Sequence, residues 1–317
     1  MAEILKINSV SKKYSNHFAL DNISLSVNEK CIFGLLGPNG AGKTSLIRII
    51  NQITGPDTGE IFFKGEKLNQ KHVEQIGYLP EERGLYKKMS VGDQVLYLAQ
   101  LKGLSRSEAR KRAAYWFEKF EMGGWWKKKI EELSKGMQQK VQFIVTVIHE
   151  PELLILDEPF SGFDPINAQI IKNEIHDLKK KGSTVIFSTH NMGSVEELCD
   201  NIALINQSKK ILDGSVKEIR KTFKSNTYTI SFKGLAMGFT NALWAGAEII
   251  NKSMEDNINT FTLRAINNTS PNQILQAVLP HCEILSFVEI VPSMNDIFIQ
   301  KVNEGNSQIQ INNNYTE

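Results

Sequence analysis

The sequence predicts an α/β protein with a parallel core sheet, and three local observations support this prediction. Two short apolar runs rich in β-branched residues, Leu153–Pro159 and Ser183–His190, are typical of buried parallel strands. An amphipathic helical pattern over Ala168–Lys180 lies between them, which indicates a β-α-β unit. A glycine-rich turn follows the apolar run that ends at Gly37, and a second helical pattern, Thr44–Ile53, follows the turn.

The periodicity of apolar residues predicts the strands and helices along the chain. Strands are expected at the N-terminus, over Ile23–Gly37, around Phe62 and over Gln75–Pro80. The helix after the glycine-rich turn should bury one face, made of Leu46, Ile49, Ile50 and Ile53. From about residue 88 to 150 the pattern becomes helical, which predicts a helical insert before the β-α-β unit. Ser105 and Glu108 form an expected capping box within this insert.

A second domain is expected after the polar, basic stretch Arg220–Asn226, so we place the boundary between residues 222 and 223. Beyond it, strand patterns alternate with helical patterns over Thr240–Gly246 and Pro271–Leu279, which predicts a small α+β domain of βαββαβ type over 223–305. The Asn-rich end, 306–317, is predicted to be a disordered tail.

Composition limits the possible classes of protein. The 317 residues suffice for about two domains, with 41% hydrophobic and 23% charged residues. A net charge of +2 argues against a general nucleic-acid binder. Cys31, Cys199 and Cys282 lie too far apart to indicate a disulfide framework or a zinc site, so a reducing cytosol is expected. The N-terminus does not resemble a signal peptide, and no apolar run is long enough to cross a bilayer.

The glycine-rich turn matches the phosphate-binding pattern GxxxxGK[ST] between a strand and a helix. Glycines let backbone N–H groups surround a phosphate, and the helix N-terminus adds positive charge. Lys43 should reach the β- and γ-phosphates, and Thr44 should ligate Mg²⁺. The predicted nucleotide-binding residues here are Gly37, Pro38, Asn39, Gly40, Ala41, Gly42, Lys43, Thr44 and Ser45.

Two carboxylates, Asp157 and Glu158, end the first apolar strand of the β-α-β unit. Ligands bind at this edge of a parallel sheet. Asp157 is therefore predicted to hold Mg²⁺, and Glu158 is predicted to polarise the attacking water. An acidic helix cap is the ordinary alternative for such a pair, and the accompanying phosphate loop favours the functional interpretation.

The segment Leu133–Met137, LSKGM, followed by a helical pattern, resembles the LSGGQ signature of ATP-binding cassette (ABC) ATPases. The resemblance covers about residues 1–220. It implies a P-loop NTPase fold of the ABC cassette type, with a mixed β-subdomain, a RecA-like parallel core and the helical insert. Lys135 and Met137 depart from the family pattern, whereas Ser134 and Gly136 agree with it.

Other residues match family motifs in the expected order. Tyr14 resembles the aromatic residue that stacks on adenine, and Asp164 within SGFDP resembles the residue that organises the paired interface. His190 resembles the histidine that contacts the γ-phosphate. Glu81 occupies the position where the family usually has glutamine and is expected to ligate Mg²⁺, although Glu82 is an open alternative for the side chain that faces the nucleotide.

The resemblance also implies a mechanism. Two cassettes pair head to tail and enclose two ATP molecules, so that Ser134 and Gly136 of one copy contact the γ-phosphate held by Lys43 of the other. Glu158 acts as the base for hydrolysis, assisted by His190. The implied metal ligands are Thr44, Glu81 and Asp157.

The variants YLPEERGLY and LSKGMQQK and the ending VPSMNDIFIQKV resemble bacterial ABC-2-type exporter ATPases, including those of sodium-extruding and drug-efflux systems. This implies separately encoded transmembrane subunits, a homodimer on ATP binding, no nucleic-acid partner and a cytoplasmic location at the inner face of the membrane. The membrane subunit would dock near Glu81–Met89. Aromatic candidates for that surface, if they are exposed rather than packed, are Tyr86, Trp116, Trp125 and Trp126.

A soluble ABC ATPase acting on ribosomes or nucleic acid is the alternative class. Translation-type members carry two cassettes in one chain, and this sequence contains one phosphate loop. Chromosome-type members carry long coiled coils, and the sequence shows no sustained heptad pattern. A regulatory, ligand-binding role for the C-terminal domain is compatible with either class.

Overall fold

The computed structural model describes residues 2–313, apart from residues 16, 83, 162, 244 and 245. The described residues form two compact units, one built chiefly from residues before Lys217 and one from Lys217–Ile299. The boundary between the units, after Val216, therefore precedes the predicted boundary between residues 222 and 223. A helix over Val216–Thr222 includes the first residues of the stretch that was expected to be a linker. Within the smaller unit, Arg220 Nε of that helix donates a hydrogen bond to the carbonyl oxygen of Pro292 at 3.1 Å.

The strands, in chain order, are β1 (Glu3–Tyr14), β2 (His17–Asn28), β3 (Ile32–Leu36), β4 (Thr58–Phe63), β5 (Glu66–Lys67), β6 (Ile76–Leu79), β7 (Leu153–Asp157), β8 (Thr184–Thr189), β9 (Asn201–Asn206), β10 (Lys209–Ser215), β11 (Thr227–Lys233), β12 (Ala247–Glu255), β13 (Ile258–Ala265) and β14 (Glu283–Ile290). The helices are α1 (Lys43–Ile50), α2 (Val91–Leu101), α3 (Arg106–Lys119), α4 (Lys135–Val147), α5 (Pro165–Lys180), α6 (Met192–Leu198), α7 (Val216–Thr222), α8 (Ala236–Ala242), α9 (Pro271–Val278) and α10 (Met294–Asn313).

The central sheet has the strand order β10-β9-β3-β8-β7-β6, and its neighbours are parallel except for the antiparallel edge strand β10. In this register Leu36 is opposite Thr189, and Asp157 is opposite Ser188. The carboxyl ends of β3, β7 and β8 therefore meet at one edge of the sheet. The segments that follow these strands carry the phosphate loop, Glu158 and His190, so the fold assembles the site at this edge.

A separate antiparallel sheet with the order β2-β1-β4-β5 forms the predicted mixed β-subdomain. Its apolar residues, such as Leu5 and Ile7, share one buried cluster with Leu46 and Ile49 of α1. The expected burial of Ile53 is wrong, since α1 ends at Ile50 and the Ile53 side chain is 51% exposed.

The predicted helical insert corresponds to α2, α3 and α4. At the start of α3 the backbone N–H of Glu108 donates to Ser105 Oγ at 3.2 Å, as expected for a cap. The second half of the expected capping box is replaced, because the Glu108 carboxylate accepts from Arg112 Nε at 2.8 Å. One turn of α3 is thus stabilised by an i,i+4 ion pair.

The smaller unit has the predicted βαββαβ order, and its sheet order is β12-β13-β11-β14. Its core contains fully buried aromatic rings, and the Phe232 and Phe239 rings stack with centroids 4.1 Å apart. This packing accounts for the position of α8, which begins four residues before the predicted Thr240. Phe239 lies within α8 and fixes the helix on the sheet.

The disordered tail predicted from residue 306 is wrong for residues 306–313, because α10 continues as a helix to Asn313. Residues 314–317 lie outside the described residues. Cys31, Cys199 and Cys282 are free thiols, as expected. Within the described chain, no helix combines the length and apolar character needed to span a bilayer.

Candidate functional site

The phosphate loop between β3 and α1 depends on glycine at two positions. Gly42 precedes α1 with φ +113°, and a Cβ atom there would lie 2.2 Å from the carbonyl oxygen of Ala19. Gly37, with φ +152°, faces a similar obstacle, since its Cβ would lie 2.2 Å from the carbonyl oxygen of Ile205. Any side chain would displace the backbone, so the loop shape requires glycine.

Lys43 begins α1, and its ammonium group turns back into the loop. Nζ donates to the carbonyl oxygens of Gly37 at 2.7 Å and Pro38 at 3.1 Å. Lys43 is 7% exposed. Burial lowers the pKa of Lys43, and the carboxylates of Glu158, Asp157 and Glu81 oppose that shift. The ammonium group of Lys43 is therefore bound by carbonyl oxygens of the phosphate loop and lies near three acidic side chains.

These elements enclose a cavity of about 340 Å³, which we call the nucleotide cavity. Its volume is in the range typical of small-molecule sites. It is lined by His17, Ala19, Asn39, Gly40, Gly42, Lys43, Thr44, Ser45, Glu81, Asp157, Glu158 and His190. The structure thus brings together most of the residues that the sequence predicted for one copy of the site.

Asp157 lies at the end of β7, and its side chain faces Thr44. Thr44 Oγ1 donates to Asp157 Oδ2 at 3.3 Å. Burial raises the pKa of Asp157; the carboxylates of Glu81 and Glu158 raise it further, whereas the nearby hydroxyl groups of Ser188 and Thr44 oppose the rise. A cation beside these oxygens would relieve the repulsion, and hydroxyl and carboxylate oxygens are ligands that Mg²⁺ prefers. The residues present therefore fit a magnesium ion.

Among the described residues, no group of three or more His, Cys, Asp and Glu side chains forms a ready-made metal site. A magnesium ion here would accordingly depend on phosphate oxygens in addition to the few protein oxygens, as is usual for phosphoryl-transfer sites.

Glu158 follows β7 and is fixed by the end of β8. Thr189 Oγ1 donates to Glu158 Oε2 at 3.2 Å, and the backbone N–H of His190 donates to Oε1 at 3.0 Å. The backbone of Glu158 has φ +47°, a left-handed conformation that is uncommon for a side chain of this size. The carboxylate therefore has a defined orientation toward the nucleotide cavity.

Glu81 and Glu82 differ in their position relative to the nucleotide cavity. Glu81 lines the nucleotide cavity, and its charge affects the pKa of both Lys43 and Asp157. Glu82 is not part of that lining, and its carbonyl oxygen accepts from Gln142 Nε2 at 3.4 Å. Glu81 is thus the carboxylate that faces the phosphate loop.

Tyr14, which the sequence predicts to stack on the nucleotide base, does not line the nucleotide cavity, and a neighbouring aromatic residue does. Tyr14 is 44% exposed, and it is absent from the described lining of the nucleotide cavity. His17, which pairs with Tyr14 across the β1–β2 turn, lines this cavity and a neighbouring one of about 530 Å³ that Phe18 also lines. Sequence reasoning missed His17 and Phe18, whose only signal was aromatic character beside Tyr14.

The remaining predicted residues begin helices outside the nucleotide cavity. Ser134 caps α4, and its Oγ accepts from the Met137 N–H at 3.3 Å. The position that a Cβ of Gly136 would take is open, with no neighbouring atom within 4 Å outside its own helix. Asp164 caps α5 by accepting from the N–H groups of Ile166 at 3.0 Å and Asn167 at 2.9 Å. None of Ser134, Gly136 and Asp164 is among the residues that line the described cavity.

The predicted aromatic docking candidates divide into two groups. Trp116 is 6% exposed and therefore packs within the helical insert, while Trp125 and Trp126 are partly buried. The Trp126 ring covers Gly92 so closely that a Cβ there would lie 2.3 Å from it. Tyr86 remains 56% exposed and packs edge-on against Tyr97. Of the four candidates, Tyr86 is the one that is exposed.

A glycine-rich loop lies between a strand and a helix and contains a buried lysine, and an Asp-Glu pair ends another strand, β7, of the same parallel sheet. These features define a P-loop nucleoside triphosphatase. Residues 20–161 match the ABC transporter family, and residues 214–302 match the C-terminal domain of DrrA1-3-like ATP-binding proteins. The uncharacterized ABC transporter ATP-binding protein YhaQ of Bacillus subtilis is 41% identical over 94% of this chain and 98% of its own length. The chain therefore belongs to the ATP-binding proteins of ABC transporters.

Further similarities agree with this assignment. The linearmycin resistance ATP-binding protein LnrL of Bacillus subtilis is 29% identical over 93% of this chain and 97% of its own length. A solved ATP-binding subunit of an ABC transporter has a TM-score of 0.65 and 29% identity, and covers 69% of this chain and 93% of that one. The predicted fold and the predicted class, an ATP-hydrolysing subunit of an ABC exporter, are confirmed.

Proposed function

We propose that two copies of this chain pair head to tail around two ATP molecules and drive a separately encoded membrane subunit. One observation carries the proposal. The nucleotide cavity contains Lys43, Glu158 and His190, whereas Ser134 and Gly136 are not among its lining residues. A second copy would supply these two residues to the γ-phosphate. The signature lies at the start of α4, where the helix N-terminus attracts a phosphate and the open space at Gly136 lets the phosphate approach the backbone.

In the proposed mechanism, the loop N–H groups and Lys43 bind the phosphates of ATP, and Lys43 exchanges its bonds to the loop carbonyls for phosphate oxygens. Thr44, Asp157 and Glu81 would hold Mg²⁺, which when bound offsets the negative charge of the phosphates. Glu158 orients the attacking water and accepts its proton, and His190 contacts the γ-phosphate. An aromatic residue of the β1–β2 turn, Tyr14 as predicted from sequence or His17 beside it, stacks on the base.

Closure of the dimer would depend on the γ-phosphate, because it is the group that both copies contact. Asp164 would organise the paired interface through the start of α5. Loss of the γ-phosphate on hydrolysis removes the contacts with Ser134 and Gly136, so the dimer opens. This cycle converts ATP hydrolysis into a motion of the paired cassettes at the inner face of the membrane. A membrane subunit that docks near Glu81–Met89, a segment that includes the exposed Tyr86, would use this motion for transport.

We propose a drug-like compound as the exported substrate, with sodium as the second candidate from the sequence resemblance. The names of similar proteins support the first, since they include linearmycin resistance for LnrL and lantibiotic transport for SrtF of Streptococcus pyogenes, which is 32% identical over 66% of this chain and 90% of its own length. The transported compound would contact the membrane subunit, so its identity is encoded in that partner.

The experiment is affinity purification of the tagged chain from detergent-solubilised membranes, in parallel with the Glu158→Gln variant. An integral membrane protein should co-purify in near-stoichiometric amount, and its deletion should sensitise cells to the exported compound. Co-purification of ribosomes in place of a membrane protein would overturn the proposal in favour of a soluble ABC ATPase.

A further inference from the structure

Helix α4 is hydrogen-bonded to the loop that carries Glu81. Gln142 Nε2 donates to the carbonyl oxygens of Pro80 at 3.2 Å and Glu82 at 3.4 Å. These two carbonyls stand on either side of Glu81 in the chain. Gln142 is 6% exposed, so water has little access with which to replace these bonds. One amide group therefore holds the backbone on both sides of the carboxylate that faces the phosphate loop.

A second glutamine of α4 reaches the segment after Glu158. Gln139 Nε2 donates to the carbonyl oxygen of Ser161. Gln139 and Gln142 line a cavity of about 20 Å³ together with Glu81, Asp157 and Glu158. A cavity of this size has room for about one water molecule. The amides of α4 and the catalytic carboxylates therefore border the same small space.

We propose that Gln142 is a positioning residue that couples α4 to Glu81, a role that rests on the proposed function. Helix α4 begins at the signature, where Ser134 and Gly136 would contact the nucleotide bound by the second copy. Two turns later, Gln142 holds the Glu81 loop of its own copy. A shift of α4 on dimer closure then moves Pro80 and Glu82 and re-aims Glu81, so each nucleotide affects the geometry of the other site.

The chemistry requires a donor at position 142. Both partners are carbonyl oxygens, which only accept, and an amide Nε2 offers two N–H groups. Methionine has nearly the same length and no donor, so Gln142→Met would leave both carbonyls without this partner at little cost in packing. Loss of the donor in a buried setting frees the loop, because buried acceptors without a partner favour other backbone conformations.

Gln138 provides a matched control on the same helix. Its Nε2 donates to the carbonyl oxygens of Ile130 at 3.1 Å and Leu133 at 3.0 Å, near the start of α4. Gln138→Met thus removes two amide-to-carbonyl bonds of the same kind, and both of these carbonyl acceptors precede α4 rather than belonging to the Glu81 loop. The first measurement is amide hydrogen exchange of the peptide that follows β6, in the full-length chain. Gln142→Met should raise its exchange about tenfold, and Gln138→Met should raise it clearly less.

The second measurement is a double-mutant cycle on ATPase activity. Gln142→Met should lower kcat about tenfold and leave the Kd for ATP within about twofold, because the phosphate loop is untouched. In a Glu81→Ala background the same substitution should have no further effect on kcat. Gln142→Asn, which keeps the amide on a shorter stem, should have an intermediate kcat and serves as the second variant if the methionine variant does not fold.

Equal loss of kcat with and without Glu81, or unchanged exchange after β6, would overturn the positioning role. The proposed dimer fails by a different result, namely a Glu158→Gln variant that stays monomeric with ATP. The two failures are therefore separable.

Discussion

The imidazole Nδ1 of His190 lies 2.7 Å from Oε1 of Glu158, and the backbone N–H of His190 contacts the same oxygen at 3.0 Å. The two residues are separated along the chain by α5 and β8, and parallel pairing of β7 with β8 brings them together. Thr189 holds the other carboxylate oxygen at 3.2 Å. The predicted base and the predicted γ-phosphate contact thus form one hydrogen-bonded unit.

Replacement of Glu158 by glutamine should separate ATP binding from hydrolysis. The amide keeps the shape of the side chain but cannot accept a proton from water, so ATPase activity should fall by about 10²–10⁴-fold. ATP should still bind and hold the dimer closed. Light scattering after gel filtration with Mg-ATP is the measurement, with the unsubstituted chain and ADP as controls. A monomeric elution at saturating Mg-ATP would count against the sandwich mechanism.

Glu81→Gln should keep substantial ATPase activity, within about tenfold of the unsubstituted chain, because an amide oxygen can also ligate Mg²⁺. Glu82→Gln is the matched control, since the Glu82 side chain is not part of the nucleotide cavity. Steady-state kcat at varied Mg²⁺ concentration distinguishes the two variants. Near-total loss of activity in Glu81→Gln alone would assign a specific role to the carboxylate.

Gly42→Ala should abolish nucleotide binding, because the new methyl group would lie 2.2 Å from the carbonyl oxygen of Ala19. Gly103→Ala is the control for backbone strain alone, as Gly103 has φ +86° with no atom near its Cβ position. The control should lose about 1 kcal/mol of stability and retain ATP binding. Fluorescent nucleotide titration and urea unfolding report the two effects, and comparable ATP binding by both variants would refute the steric explanation.

His149 should make the free energy of unfolding fall in mild acid. Burial lowers the pKa of His149 to about 4, and the charge of Lys102 contributes to the shift. Because the folded-state pKa lies below the ordinary value of 6.5, the neutral histidine stabilises the fold above pH 6.5, and this contribution is lost as the pH falls toward about 4. Between pH 7 and pH 5 the loss should be about 2 kcal/mol.

The measurement for His149 is urea unfolding at both pH values, for the unsubstituted chain and for His149→Gln. Acidic side chains affect both proteins alike, so the difference between them isolates the histidine. The variant should lose less stability on acidification, and parallel losses would contradict the assignment.

The sequence predicted those parts of the site whose chemistry is local. The phosphate loop and Asp157–Glu158 depend on a few neighbouring residues, and the structure brings them to one cavity. Gln142 gave no comparable signal, because its partners Pro80 and Glu82 lie about 60 residues away in the chain and are backbone carbonyls of ordinary residues. The choice between Glu81 and Glu82 likewise depends on how the loop turns after β6.

The βαββαβ order of the smaller unit followed from alternating patterns, but the position of α8 did not. Its first turn contains Gly238, a poor helix former, so propensity favoured a later start. Stacking of Phe239 on Phe232 outweighs that propensity, and such a contact between distant segments is invisible in a local pattern. The same limit applies to α10, where polar composition alone indicated disorder.

The left-handed backbone of Glu158 lowers the stability of the fold at a position that lines the nucleotide cavity. A non-glycine residue at φ +47° carries a conformational cost of about 1–2 kcal/mol, whereas asparagine or glycine adopts this region more readily. Asparagine or glycine at this position would therefore relieve the conformational cost, but the carboxylate would be lost. Its presence marks a place where the molecule gives up folding free energy to keep a carboxylate in the nucleotide cavity, as is common where activity and stability compete.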